Sequence, residues 1–199
     1  MSEIEDSTQQ AIEHGADSRL NSLVAIVVAI AATFMALCNV KDGNIVQAMA
    51  QAQSHAVDAW TYYQAKGTKE NLAAATAEQL TIERDTAPAL SPEARAVFER
   101  KIIEYTARAQ TYAGEKEHIK ASAEGFEHEY DRLNVHDDQF DAAEACLTVC
   151  IALFGVTALT RKRWLFGLGL SIMGLGVVLG VAGFLGLGLH PDFLARLLG

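Results

Sequence analysis

Three apolar stretches, parted by one long acidic segment and one three-residue basic link, constrain this chain more than any other feature. They lie at residues 20–40, 143–160 and 164–189. At about 1.5 Å of rise per residue, roughly 20 apolar residues cross a hydrocarbon core about 30 Å thick. The first stretch has 21 residues and the third 26, both without a charge; the second has 18, with Glu144 just inside its start. The chain reads as an integral membrane protein with three spans, which needs no conventional globular core.

Most of the acid lies between the first two spans. Of 25 Asp and Glu residues, 18 fall between Asp42 and Asp141, against 10 of the 16 Lys and Arg. That surplus argues against a nucleic-acid partner, whose phosphates need clustered cations. It also argues against a polybasic lipid-binding patch there. The region before the first span is long and acidic (Glu3, Glu5, Asp6, Glu13, Asp17), with Arg19 at the boundary. The stretch that follows has the length of a span rather than of a signal-peptide core, so an uncleaved anchor is expected.

The whole link between spans two and three is Arg161, Lys162 and Arg163. Short cytoplasmic loops collect Lys and Arg, which places this turn inside. The N-terminus is then cytoplasmic, and the segment between spans one and two extracytoplasmic. Arg19 agrees with this orientation; Lys41 and Arg196 oppose it weakly.

From Phe98 an apolar stripe steps alternately by four and three: Phe98, Ile102, Tyr105, Ala109, Tyr112, Lys116, Ile119, Ala123, Phe126, Tyr130, Leu133, Asp137 and Phe140. Eleven of these thirteen are apolar or aromatic, and the count continues through Glu144, Leu147, Ile151 and Phe154. A sustained 3.5-residue period predicts a left-handed coiled coil. Residues 44–85 are Ala-rich and free of Pro, which suits a helix. The run Thr86–Pro92 breaks it, with Ser91 as an N-cap and Pro92 in the first turn. The first arm carries Gln53, Ala56, Trp60, Tyr63 and Gly67 on one face, continued after a phase shift by Leu72 and Leu80.

The expected fold class is therefore an all-α membrane protein. It has three transmembrane helices, with a long antiparallel coiled-coil hairpin inserted between spans one and two. The expected plan is an acidic N-terminal segment (1–19), span one (20–40), the extramembrane hairpin (41–141, arms about 44–85 and 93–141), span two (142–160), span three (164–189) and an interfacial tail (190–199).

The residues Gln53, Asp58, Trp60, Tyr63, Gln64, Ala65, Lys66 and Lys69 resemble the signature of an uncharacterised bacterial membrane-protein family, domain-of-unknown-function family 4337. Its members share this plan of one N-terminal span, a long helical loop and two C-terminal spans. The resemblance implies a bacterial inner-membrane protein and brings no activity, ligand or catalytic residue.

Candidate chemistry is sparse. No nucleophilic triad, phosphate-binding glycine loop or zinc spacing is present, so no catalytic, cofactor or metal residue is assigned. Glu124, Glu127, Asp131, Asp137, Asp138, Asp141 and Glu144 read as a solvated acidic face. In an oligomer the same residues would ring a vestibule and concentrate cations. Gly169, Gly176, Gly180 and Gly183 share one face of span three, where small residues let helices approach closely in lipid. Three cysteines exclude a fully paired disulfide framework. Cys146 and Cys150 suit a helix contact, and Cys38 and Cys146 end near the same membrane surface, where a disulfide is open.

These features favour a non-enzymatic protein that self-associates as a scaffold or accessory subunit. It would present its hairpin to a second copy or to another membrane complex through Gln53, Ala56, Trp60, Tyr63 and Gly67. The alternative is an oligomeric cation channel or transporter with the acidic ring as its vestibule.

Overall fold

The computed structural model describes residues 2–187, with side chains from residue 19 onward. It consists of three helices: α1 (Ser2–Thr86), α2 (Pro92–Thr160) and α3 (Arg163–Phe184). Each contains a window long and apolar enough to cross a bilayer. The expected interfacial tail at 190–199 lies outside the described residues.

The expectation of a coiled-coil hairpin inserted between spans one and two is corrected. No separate element stands between the spans. Helix α1 runs without interruption through the first apolar stretch and on to Thr86, and α2 runs from Pro92 to Thr160 through the second, in keeping with one helix from about Glu93 to Thr160 expected from the unbroken count into span two. The physical reason lies at residues 39–44, Asn-Val-Lys-Asp-Gly-Asn, which contain no Pro. A single interior Gly costs only about 1 kcal/mol against Ala, too little to end a helix already nucleated on both sides. Between α1 and α2 the backbone ladder stops at Ala87-Pro88 and Ser91-Pro92. There Ser91 Oγ accepts the Ala94 N–H at 3.2 Å and caps α2.

The described residues divide into two compact units. One comprises the chain up to Ala48 and from Arg132 onward; the other is Met49–Asp131.

In the first unit the core is Val24 and Ala31 of α1 against Leu147, Cys150 and Phe154 of α2, with α3 residues such as Met173 and Val177 packed on it. Exposed Leu23, Ile26, Ile30 and Leu37 on α1 and Leu168, Leu175 and Val178 on α3 suit contact with lipid. Two residues separate α2 from α3, and Arg161 makes the turn at φ 58°. Gly186 at φ 67° closes α3, with Leu187 N donating back to Ala182 O at 3.0 Å.

In the second unit α1 and α2 pack side by side through small residues. Ala52, Ala56, Ala73 and Ala77 of α1 and Ala123 of α2 are buried. Leu72, expected on the packed face, is 67% exposed; Ala73 takes its place and no phase shift occurs. All thirteen positions of the α2 stripe from Phe98 to Phe140 are buried or half-buried.

Candidate functional site

The stripe on α2 has two polar interruptions, Lys116 and Asp137, and each marks a polar contact between α1 and α2. In the second unit Lys116 Nζ donates to Glu70 Oε2 of α1 at 2.8 Å, while Lys66 of α1 pairs with Glu115 of α2. The two pairs are reciprocal. Each helix supplies one cation and one anion, and a one-residue slip would break both. The ammonium of Lys116 lies 5.0 Å from the Tyr63 ring centroid, and that of Lys66 lies 5.4 and 5.1 Å from those of Tyr62 and Tyr112. Gly67 leaves room for the Lys116 stem, whose Nζ would stand 3.7 Å from an added Cβ. Hydrogen bonds to Glu115 and Glu70 hold Lys66 and Lys116 above the ordinary lysine range.

Beside this layer the same unit forms a groove of about 400 Å³ lined by Gln53, Ala56, Val57, Trp60, Glu127, Tyr130 and Asp131. Trp60 is half-buried, its Nε1 donating to Glu127 Oε1 at 2.8 Å and its ring edge-on to Tyr63 at 5.5 Å. Gln53 and Val57 are exposed and Ala56 forms the floor. Four of the five residues assigned to the interaction face thus surround or support one aromatic, acid-rimmed groove, while Gly67 serves the lysine layer.

The seven residues expected in an acidic ring do not share one place. Glu124 pairs with Lys120 at 3.7 Å, and Glu127 and Asp131 rim the Trp60 groove, all in the second unit. Asp137, Asp138, Asp141 and Glu144 belong to the first. There they meet Asp42 of α1, which the sequence reading passed over. Burial, and then the charges of Asp137 and Asp141, push the Asp42 carboxyl up to about 7, and Asp138 accepts from Asn134 at 3.4 Å. Asp42 Oδ1 and Glu144 Oε1 are enclosed with no hydrogen-bond partner. The signal was available: Asp42 stands two residues past the end of span one, and an antiparallel return brings residues 137–144 to the same height. One turn away, fully buried Gln139 donates to Leu187 O at 2.7 Å and accepts from His136 Nδ1 at 3.1 Å, tying α2 to the end of α3.

The glycine face of α3 is filled from within the chain. A Cβ at Gly169 would stand 2.6 Å from Phe154, at Gly176 3.1 Å from the Ala143 carbonyl, at Gly180 2.8 Å from Phe34 and at Gly183 2.9 Å from Phe140. Its partners are spans one and two of the same molecule. The three cysteines are buried and free. Among the described residues, no group of three or more His, Cys, Asp or Glu is placed to hold a metal ion.

Three apolar helices locked by glycine notches define a multi-pass, all-helical membrane protein. Residues 20–186 match the family described as Domain of unknown function (DUF4337), and the chain belongs to that family. No curated protein and no solved structure matches it.

Proposed function

We propose that the protein is a non-enzymatic membrane scaffold or accessory subunit that self-associates through the paired helices of residues 49–131. The observation that carries this reading is the Trp60 groove. A thin pair of helices leaves a tryptophan, a tyrosine and exposed Val57 beside an open cleft rimmed by two carboxylates. Aromatic groups of this kind dominate the energetics of protein contacts. The glycine face adds no support for association within the membrane, because it is already occupied inside the molecule.

A photo-reactive amino acid in place of Val57, irradiated in intact membranes, tests this. An adduct of twice the chain mass, or to one defined membrane protein, supports the reading. Labelling no stronger than at exposed Thr68 would overturn it.

The proposed location is the bacterial inner membrane, with the N-terminus in the cytoplasm and residues 49–131 outside it, because the Arg161–Arg163 turn belongs inside. With single cysteines at Ala89 and Ser2 in a cysteine-free background, an impermeant thiol reagent on spheroplasts should label position 89 and spare position 2. The reverse pattern would invert the orientation.

A further inference from the structure

Aromatic rings of the second unit carry cations of the same chain. Lys66 Nζ stands over Tyr62 and Tyr112, Lys116 Nζ over Tyr63, and the Arg108 guanidinium over Tyr105 at 5.3 Å. A second groove of about 300 Å³ shows the same pairing, with Lys69 and Arg108 beside Tyr105 and Tyr112. The Trp60 groove departs from this pattern. Tryptophan offers a cation the best ring face of any side chain, yet among the described residues no Lys or Arg lies over Trp60 or lines its groove. Its charged lining is Glu127 and Asp131. Glu127 accepts from the neutral Trp60 indole and forms no ion pair among the described residues. Asp131, one turn on, has neither an ion-pair nor a hydrogen-bond partner among them. Two uncompensated carboxylates thus stand beside a vacant indole face.

We propose that the Trp60 groove binds a small organic ammonium ion, a quaternary or alkylated amine. Its charge lies over Trp60 beside Glu127 and Asp131, and its carbon body lies against Val57 and Tyr130. The groove holds about 400 Å³, within the roughly 300–1,000 Å³ of small-molecule sites. A bare inorganic cation needs a shell of oxygen ligands, for which two carboxylates are too few. Aromatic and aliphatic walls suit a methylated or alkylated ammonium instead. A neutral apolar ligand would gain nothing from the two acids. The hydrogen bond from Trp60 fixes Glu127 against the indole, so this part of the site is formed before a ligand arrives. The site lies within a single chain and does not depend on association. On the scaffold reading a docked partner covers the same rings, so ligand and partner exclude each other.

The test uses the full chain, one copy per phosphatidylglycerol nanodisc, so that no second copy covers the groove. A Trp164→Phe background leaves Trp60 as the only tryptophan. Choline chloride, titrated at constant ionic strength against sodium chloride, should change the Trp60 emission saturably. The uncharged alcohol with a tert-butyl group in place of the trimethylammonium should not. Glu127→Gln, whose amide oxygen still accepts from the indole, and Asp131→Asn should each weaken choline binding on the order of tenfold. Lys69→Gln, in the other groove, should change it by less than about twofold. Glu127 and Asp131 are exposed, and helix content and unfolding midpoint check that both variants fold as the parent does. Discs that contain phosphatidylcholine, without free choline, should leave the emission unchanged; a response there would assign a lipid headgroup instead and overturn the soluble ligand. No saturable response to choline, an equal response to the alcohol, or undiminished affinity in both acid variants would overturn the site. Native mass reads association separately. A chain that self-associates but ignores choline loses this site and keeps the scaffold role, and a monomer that binds choline does the reverse.

Discussion

The ring of Phe34 on α1 lies against the bare backbone of Gly180 on α3, where a Cβ would come within 2.8 Å of Phe34 Cε1 and 3.1 Å of Cys38 Sγ. One turn earlier, Gly176 faces α2 instead, against Cys146 and the Ala143 carbonyl. The Gly176/Gly180 pair thus stands where all three helices meet. Lipid supplies little hydrophobic force between spans, so close backbone approach and dispersion carry the packing.

Substitution within this notch should weaken the monomer itself. Gly176→Ala places its methyl against a backbone carbonyl that cannot rotate away, and a loss of about 1–3 kcal/mol is expected. Gly174→Ala, with nothing within 4 Å of its added carbon, should change stability by less than about 1 kcal/mol. Reversible unfolding in mixed micelles measures both. Equal effects would refute the packing described for α3.

The two reciprocal ion pairs should set the register of α1 against α2. Lys116→Glu leaves Glu70 facing a like charge and should destabilise the pair, and Glu70→Lys should do the same. The double exchange restores complementarity, with a coupling energy of about 0.5–3 kcal/mol. Thermal unfolding followed by circular dichroism reads all three variants. An additive double mutant would mean that the pair does not act across the helices.

How far the sequence revealed this structure is clearest along α2. Phe98 to Phe140 show the packed face by period alone, because bulky residues repeat where the neighbouring helix lies. On α1 the same face is made of Ala52, Ala56, Ala73 and Ala77. Alanine recurs throughout that region, so a periodic pattern is hard to see, and Leu72 drew attention to a position that faces outward. The continuity of α1 past residue 40 was obscured for a related reason. A change from apolar to charged composition marks a change of solvent and says nothing about whether the hydrogen-bond ladder stops. The candidate site was half legible: Trp60, Tyr63 and Ala56 came from spacing, whereas their partner Glu127 and the Asp42–Asp137 contact depend on which residues of two distant segments stand opposite each other.

Stability should also fall as pH rises toward neutrality. The folded chain holds a proton on Asp42 up to about pH 7, whereas the unfolded chain releases it near the ordinary value of 3.8. In that interval the folded state binds more protons, so the contribution is full below about pH 4 and is lost as pH rises through about 7. Asp42→Asn should remove this part of the pH dependence. The check is the unfolding midpoint of wild type and variant at several pH values, and parallel curves would contradict the assignment to Asp42.

Native mass measurement of the full chain, released from nanodiscs or mild detergent, bears most directly on the proposed scaffold role. The wild type should appear as a closed homo-oligomer, the usual result of symmetric self-association, or with a defined partner chain. Trp60→Ala, which removes the ring and the hydrogen bond to Glu127, should shift it toward the free monomer while leaving helix content unchanged. A wild type found only as a monomer, with no co-purifying chain, would contradict the proposal.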